Sequence, residues 1–168
     1  KVIHKGLSPE SKIIDTMNQS LKVLNDDSID IFIRIAVFHY LFGYIHPFYD
    51  GNGRTSRFIS SYLLSRQLNP LIGFRLSYTV KENISKYYKA FDVCNDPHNK
   101  AELTPFVEMF LNIVEISLQQ LLETLEEKKY KWEYYRQRIA NLPNAEKTDI
   151  SYLYELLIQA TLFSNIGI

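Results

Sequence analysis

From Ile29 to Ile45 the chain is apolar almost without interruption, and this run decides what the rest can fold into. Only Asp30, Arg34 and His39 break it. The run is slightly short for a bilayer and carries polar side chains that a lipid core disfavours. A helix apolar nearly all round is instead the buried centre of a globular domain, with other helices laid about it. His46 stands directly after the run, so a rigid core element delivers it.

Start and stop signals mark the surrounding helices. Ser8-Pro9 reads as an N-cap and first-turn proline for a helix reaching about Leu24. Arg54 through Leu64 sets Phe58, Ile59, Tyr62 and Leu63 at helical spacing. Thr79 followed by Glu82 is a capping-box pattern, predicting a helix through about Asn95. Thr104-Pro105 opens a long helix that passes Arg138 and stops at Asn141-Leu142-Pro143. Thr148-Asp149 caps another, through about Ala160. Few segments alternate, so the predicted class is all-α, with Val2-Ile3-His4 as the one strand candidate.

Charge and cysteine content remove several classes of partner. Lys plus Arg number 19 and Asp plus Glu number 19, so no global field favours DNA, RNA or an anionic membrane. One cysteine, Cys94, excludes an internal disulfide and gives no metal-site spacing; we read it as a small buried hydrophobe. No signal-peptide pattern opens the chain, and the expected location is cytoplasmic. At 168 residues one domain with a small appendage is expected.

The segment His46-Pro47-Phe48-Tyr49-Asp50-Gly51-Asn52-Gly53-Arg54-Thr55-Ser56-Arg57 concentrates the reactive groups. Gly51-Asn52-Gly53 permits positive φ and close backbone approach, and the helix that follows presents unpaired N–H groups and a positive dipole end. Arg54 and Arg57, three apart, share a face of its first turn and suit phosphate oxygens. Asp50 fits magnesium, which usually takes one or two carboxylates plus substrate oxygens. His46 is the titratable group able to take a proton from an attacking nucleophile. Taken alone, Gly51-Asn52-Gly53 fits an ordinary surface turn equally well.

All twelve positions together resemble the Fic family signature H-x-F-x-[DE]-G-N-G-R-x-x-R, which they match at every defined place. The resemblance implies a Fic-type helical bundle around a central buried helix, with a short N-terminal β-hairpin flap represented here by residues 1–7. Residues 8–142 would be the core helices, and 143–168 a C-terminal helical extension. It implies a nucleotidyltransferase, most often one moving AMP from ATP to a hydroxyl of a target protein. His46 would be the general base and Asp50 the ligand of Mg²⁺. Gly51, Asn52 and Gly53 would nest the inner phosphates, with Arg54 and Arg57 on the outer ones. The kinase-like branch carries lysine in place of Gly53, so attack at the α-phosphate is implied. Val2, Ile3 and His4 resemble the flap against which a target segment lies. Tyr87 and Asn95 resemble the positions bordering adenine, although a tyrosine-rich core helix explains them equally well.

Many Fic proteins carry an inhibitory pattern [ST]-x-x-x-E-[GN]. Glu82-Asn83 is the one Glu followed by Gly or Asn, and Tyr78 stands where Ser or Thr is needed. A brake would then come from a segment upstream of Lys1 or from a separate antitoxin-like protein, or be lacking. Between Glu123 and Arg138 charges alternate with Tyr130, Trp132, Tyr134 and Tyr135, which suits either a solvated face or a homodimer contact. Thr148 to Ile168 resembles the opening of a winged-helix unit, with Phe163 to Ile168 as its turn. It lacks a basic reading cluster, so DNA is not the expected partner. The competing readings of function are a nucleotide-binding or DNA-associated adaptor with vestigial catalysis, and transfer of UMP or phosphocholine.

Overall fold

The structure is a computed structural model that describes residues 6–163. Among these, seven α-helices and one 3₁₀ turn carry the regular structure, with no strand. The helices are α1 (Glu10–Leu24), α2 (Ile31–Ile45), α3 (Asn52–Gln67), α4 (Ile72–Glu82), α5 (Ile84–Asn95), α6 (Thr104–Ile139) and α7 (Thr148–Phe163). Val2, Ile3 and His4, the expected flap, lie outside the described residues.

The apolar run forms α2 as expected. Asp30 caps it, its carboxylate accepting the Phe32 N–H at 2.8 Å. Ile35, Ala36, Phe38, His39, Tyr40, Phe42 and Ile45 are all buried, positions that together occupy most of the helix circumference. α1 packs against α2, α2 against α3, and α3 against α4. Arg34, whose side chain is mostly buried, donates to the Leu24 carbonyl and to Asp27. Aromatic edges close the centre: Phe91 meets Phe106 at 4.6 Å, and His39 meets Phe110 at 4.9 Å between ring centroids. A Cβ on Gly43 would stand 2.8 Å from the Phe91 ring, so glycine lets that ring lie on α2. Cys94 is buried in this cluster.

Two expectations about helix starts need correction. Ser8 is not the cap of α1; Pro9 holds that position, and its carbonyl receives the Lys12 and Ile13 N–H groups. Thr79 opens no helix: it is buried inside α4, with its hydroxyl bonded back to the Arg75 carbonyl at 3.3 Å. The break comes at Asn83, whose N–H and side-chain amide both reach the Thr79 carbonyl, separating α4 from α5. The chain forms two compact units, residues 1–118 and 119–168, with the division inside α6. Up to Leu118, α6 feeds the core with Phe106, Phe110, Ile113 and Val114, and beyond it buried side chains become sparse.

The second unit, considered alone, joins the later part of α6 to α7. Arg136 pairs with Glu155 at 3.3 Å, Lys128 donates to the Leu162 carbonyl, and the Tyr154 hydroxyl donates to the Pro143 carbonyl. Tyr135, Leu142, Tyr154, Leu157 and Ile158 line a shallow apolar cavity of about 320 Å³ in it. Residues 164–168, the end of the expected winged-helix turn, fall outside the described residues.

Candidate active site

The end of α2 and the start of α3 carry the reactive segment. His46 caps α2 with φ 53° and ψ 59°, the left-handed region, and its N–H reaches the Phe42 carbonyl. That conformation usually selects glycine at a helix end, and a side chain there adds roughly 1–2 kcal/mol of strain. An imidazole retained under strain points to a use for it. Gly6 crosses directly over it: a Cβ there would stand 2.9 Å from the His46 Cβ and 3.1 Å from its carbonyl oxygen. The Leu7 N–H fixes this crossing on the Ile45 carbonyl at 3.0 Å. Gly6 is thus a residue of the site that the signature does not contain.

Past His46 the chain turns through Phe48 and Tyr49 to Gly51, which has φ 84° and caps α3. Asn52 is buried and grips the turn from inside. Its carbonyl oxygen accepts the Phe48 N–H at 2.9 Å, and its amide donates to the Phe48 carbonyl at 2.6 Å. Its side chain therefore shapes the cradle, leaving the backbone amides of the first turn to face an anion. Asp50 is exposed. One of its oxygens accepts the Gly51 N–H at 2.6 Å and the other pairs with Arg54 at 2.8 Å.

Arg54 and Arg57 border a cavity of about 490 Å³ that runs along α3 to α4 and α5. Phe58, Val80, Ile84 and Tyr88 give it apolar walls, and Lys81 adds a further cation. The Ser61 hydroxyl, buried at its edge, has no hydrogen-bond partner among the described residues. His46, Asp50 and the glycine turn are not among the lining residues.

Neither adenine candidate lines this cavity. Tyr87 is 3 % exposed, with its hydroxyl 2.8 Å from His39 Nε2 and against Arg57. Asn95 accepts a hydrogen bond from the Tyr40 hydroxyl at 2.8 Å. It is the adjacent Tyr88, half exposed, that faces the cavity. A turn of about 100° per residue separates neighbouring side chains on a helix, and a Tyr-Tyr pair gives the sequence no way to assign which faces inward. His39 is completely buried, and desolvation holds its pKa at about 3.

No group of three or more His, Cys, Asp or Glu side chains capable of holding a metal occurs among the described residues. Asp50 would thus be the protein's share of a magnesium site completed by phosphate oxygens. Its exposure and remaining lone pairs fit that arrangement. No described helix is long and apolar enough to cross a membrane.

Comparison with known proteins identifies the family. Residues 1–64 match the Fic/DOC family model. The protein adenylyltransferase fic-1 of Caenorhabditis elegans is 32% identical over 119 residues, covering 69% of this chain and 22% of that protein. Protein adenylyltransferase Fic of Drosophila melanogaster is 36% identical over 87 residues, 52% of this chain and 16% of that protein. The chain therefore spans about a fifth of the length of these curated relatives. The crystal structure of a Fic family protein from Desulfovibrio desulfuricans superposes with TM-score 0.62 at 27% identity, covering 70% of this chain and 35% of that one. The helical arrangement is shared with that protein.

Proposed function

We propose, from the premise that this chain is a Fic-domain protein, that it transfers AMP from ATP to a Ser, Thr or Tyr hydroxyl of a target protein. The observation that carries this reading is the strained imidazole of His46, mounted on the core helix next to a glycine-opened helix N-terminus. A proton acceptor and an anion cradle in one short segment suit attack on a phosphate better than anion binding alone.

In this reading the target hydroxyl gives its proton to the His46 imidazole as its oxygen bonds to the α-phosphorus. The bond from that phosphorus to the bridging oxygen breaks, and pyrophosphate leaves. The first-turn amides of α3 and the two guanidiniums hold the phosphates and offset the charge that grows on them. Asp50, exchanging Arg54 for metal, would hold Mg²⁺ with the phosphates. When bound, the ion would supply charge neutralisation. The cavity of about 490 Å³ beside the two guanidiniums gives room for the outer phosphates. Gly6 and Leu7, passing against His46, support the placement of a target segment at this edge.

The test is incubation with ATP and magnesium, together with cell-extract proteins, read by intact mass. A mass gain equal to AMP on any protein, lost in His46→Ala while ATP still binds, supports transfer. Nucleotide binding with no modified protein under any condition would instead leave an adaptor whose chemistry is vestigial. Parallel incubations with UTP and CTP decide the nucleotide.

A further inference from the structure

One buried histidine has no part in the proposed chemistry. His39 sits in the middle of α2 with both ring nitrogens occupied: Nδ1 lies 2.8 Å from the Ser60 hydroxyl and Nε2 lies 2.8 Å from the Tyr87 hydroxyl. His39 and Ser60 are fully buried, and Tyr87 nearly so. On its outer side the Tyr87 oxygen meets the Arg57 guanidinium, with the Ser56 hydroxyl beside it.

One link in this chain has a fixed direction. Arginine has only donors, so the Tyr87 oxygen accepts from Arg57. His39 bridges the Tyr87 and Ser60 hydroxyls, one ring nitrogen donating and the other accepting. The ring is neutral, because burial disfavours its charged form. Helices α2, α3 and α5 are thereby tied at one point, and the outermost link is an arginine that borders the cavity.

A guanidinium on a flexible stem must be fixed before it recognises an outer phosphate, and a buried hydroxyl beside it can fix it in advance. We infer that Tyr87, backed by His39 and Ser60, is a positioning residue that holds Arg57 ready for the distal phosphates of a nucleoside triphosphate. This rests on the nucleotide reading above and assigns Tyr87 a role inside the wall of the site, away from the base.

The experiment compares the affinities of ATP and AMP by calorimetry on the full chain. Tyr87→Phe keeps the ring and removes only the hydroxyl. ATP affinity should fall about tenfold, the size expected for one charge-assisted contact, while AMP, which lacks the outer phosphates, should change less than about twofold. In an Arg57→Ala background the same substitution should leave ATP affinity unchanged, because the group it positions is gone. His39→Gln, which breaks the chain one link further back, should give a smaller loss of the same kind. Equal losses for ATP and AMP, or an undiminished effect of Tyr87→Phe without Arg57, would overturn the inference and leave Tyr87 a packing residue. Failure of the unaltered protein to bind ATP is a separate result: it removes the nucleotide reading itself and the inference with it.

Discussion

Replacing His46 by glycine and by alanine separates its two roles, because both remove the imidazole and only one relieves the backbone. With φ 53° and ψ 59°, alanine keeps the left-handed strain of roughly 1–2 kcal/mol, whereas glycine removes it. Glycine's larger unfolded-state entropy takes back about 0.5–1 kcal/mol. The net advantage of His46→Gly over His46→Ala is therefore about 0.5–1 kcal/mol. For a chain of this length that corresponds to a melting temperature about 1–4 °C higher. Transfer of labelled AMP should fall about 10²–10⁴-fold in both, the usual worth of a general base. Thermal melts and transfer rates on the same two preparations check both halves. An alanine variant as stable as the glycine one would refute the strained cap. Residual transfer above a tenth of the original rate would refute the base.

Asp50→Asn should leave stability within about 0.5 kcal/mol, since the Arg54 pair it breaks is solvent-exposed, yet raise the magnesium concentration needed for transfer. Melts and a magnesium titration test this, and an unshifted requirement would remove Asp50 as the ligand. His39 gives a pH dependence of definite sign. Its pKa lies at about 3 in the folded protein against 6.5 ordinarily, so between those values the unfolded chain binds a proton that the native one excludes. Stability thus falls as pH is lowered from about 6.5 towards 3, and from pH 7 to pH 5 this group contributes a loss of about 2 kcal/mol. Urea melts at the two pH values should show a smaller loss for His39→Gln; equal losses would show that the buried ring is not what titrates.

Where a signal was both local and redundant, the sequence carried the structure. The run through Ile45, the Thr104-Pro105 start and the Thr148-Asp149 start all became helices close to their expected bounds. The reactive segment also fell where expected, at the junction of α2 and α3. Thr79-x-x-Glu82 misled because a threonine bonding back to the preceding turn writes the same letters as one capping the next. Leu118 could not be seen as a boundary because α6 is helical on both sides of it; what changes there is packing, not periodicity. Gly6 escaped notice because its importance lies in what it passes, forty residues away in sequence. The Tyr87–His39–Ser60 chain joins three separate helices and has no local pattern at all.

The grip of Asn52 on Phe48 bears on how this protein ages. Asn-Gly pairs are the usual sites of spontaneous deamidation, since glycine leaves its nitrogen free to attack the side-chain carbonyl. Here Asn52 precedes Gly53, but both belong to the first turn of α3 and the amide is held at both ends. Ring closure to the imide would demand releasing those bonds and unwinding the turn. Hydrolysis to aspartate would strip the donor from the Phe48 carbonyl and add a negative charge to the proposed phosphate cradle. The turn thus shields its most perishable residue for as long as it stays folded.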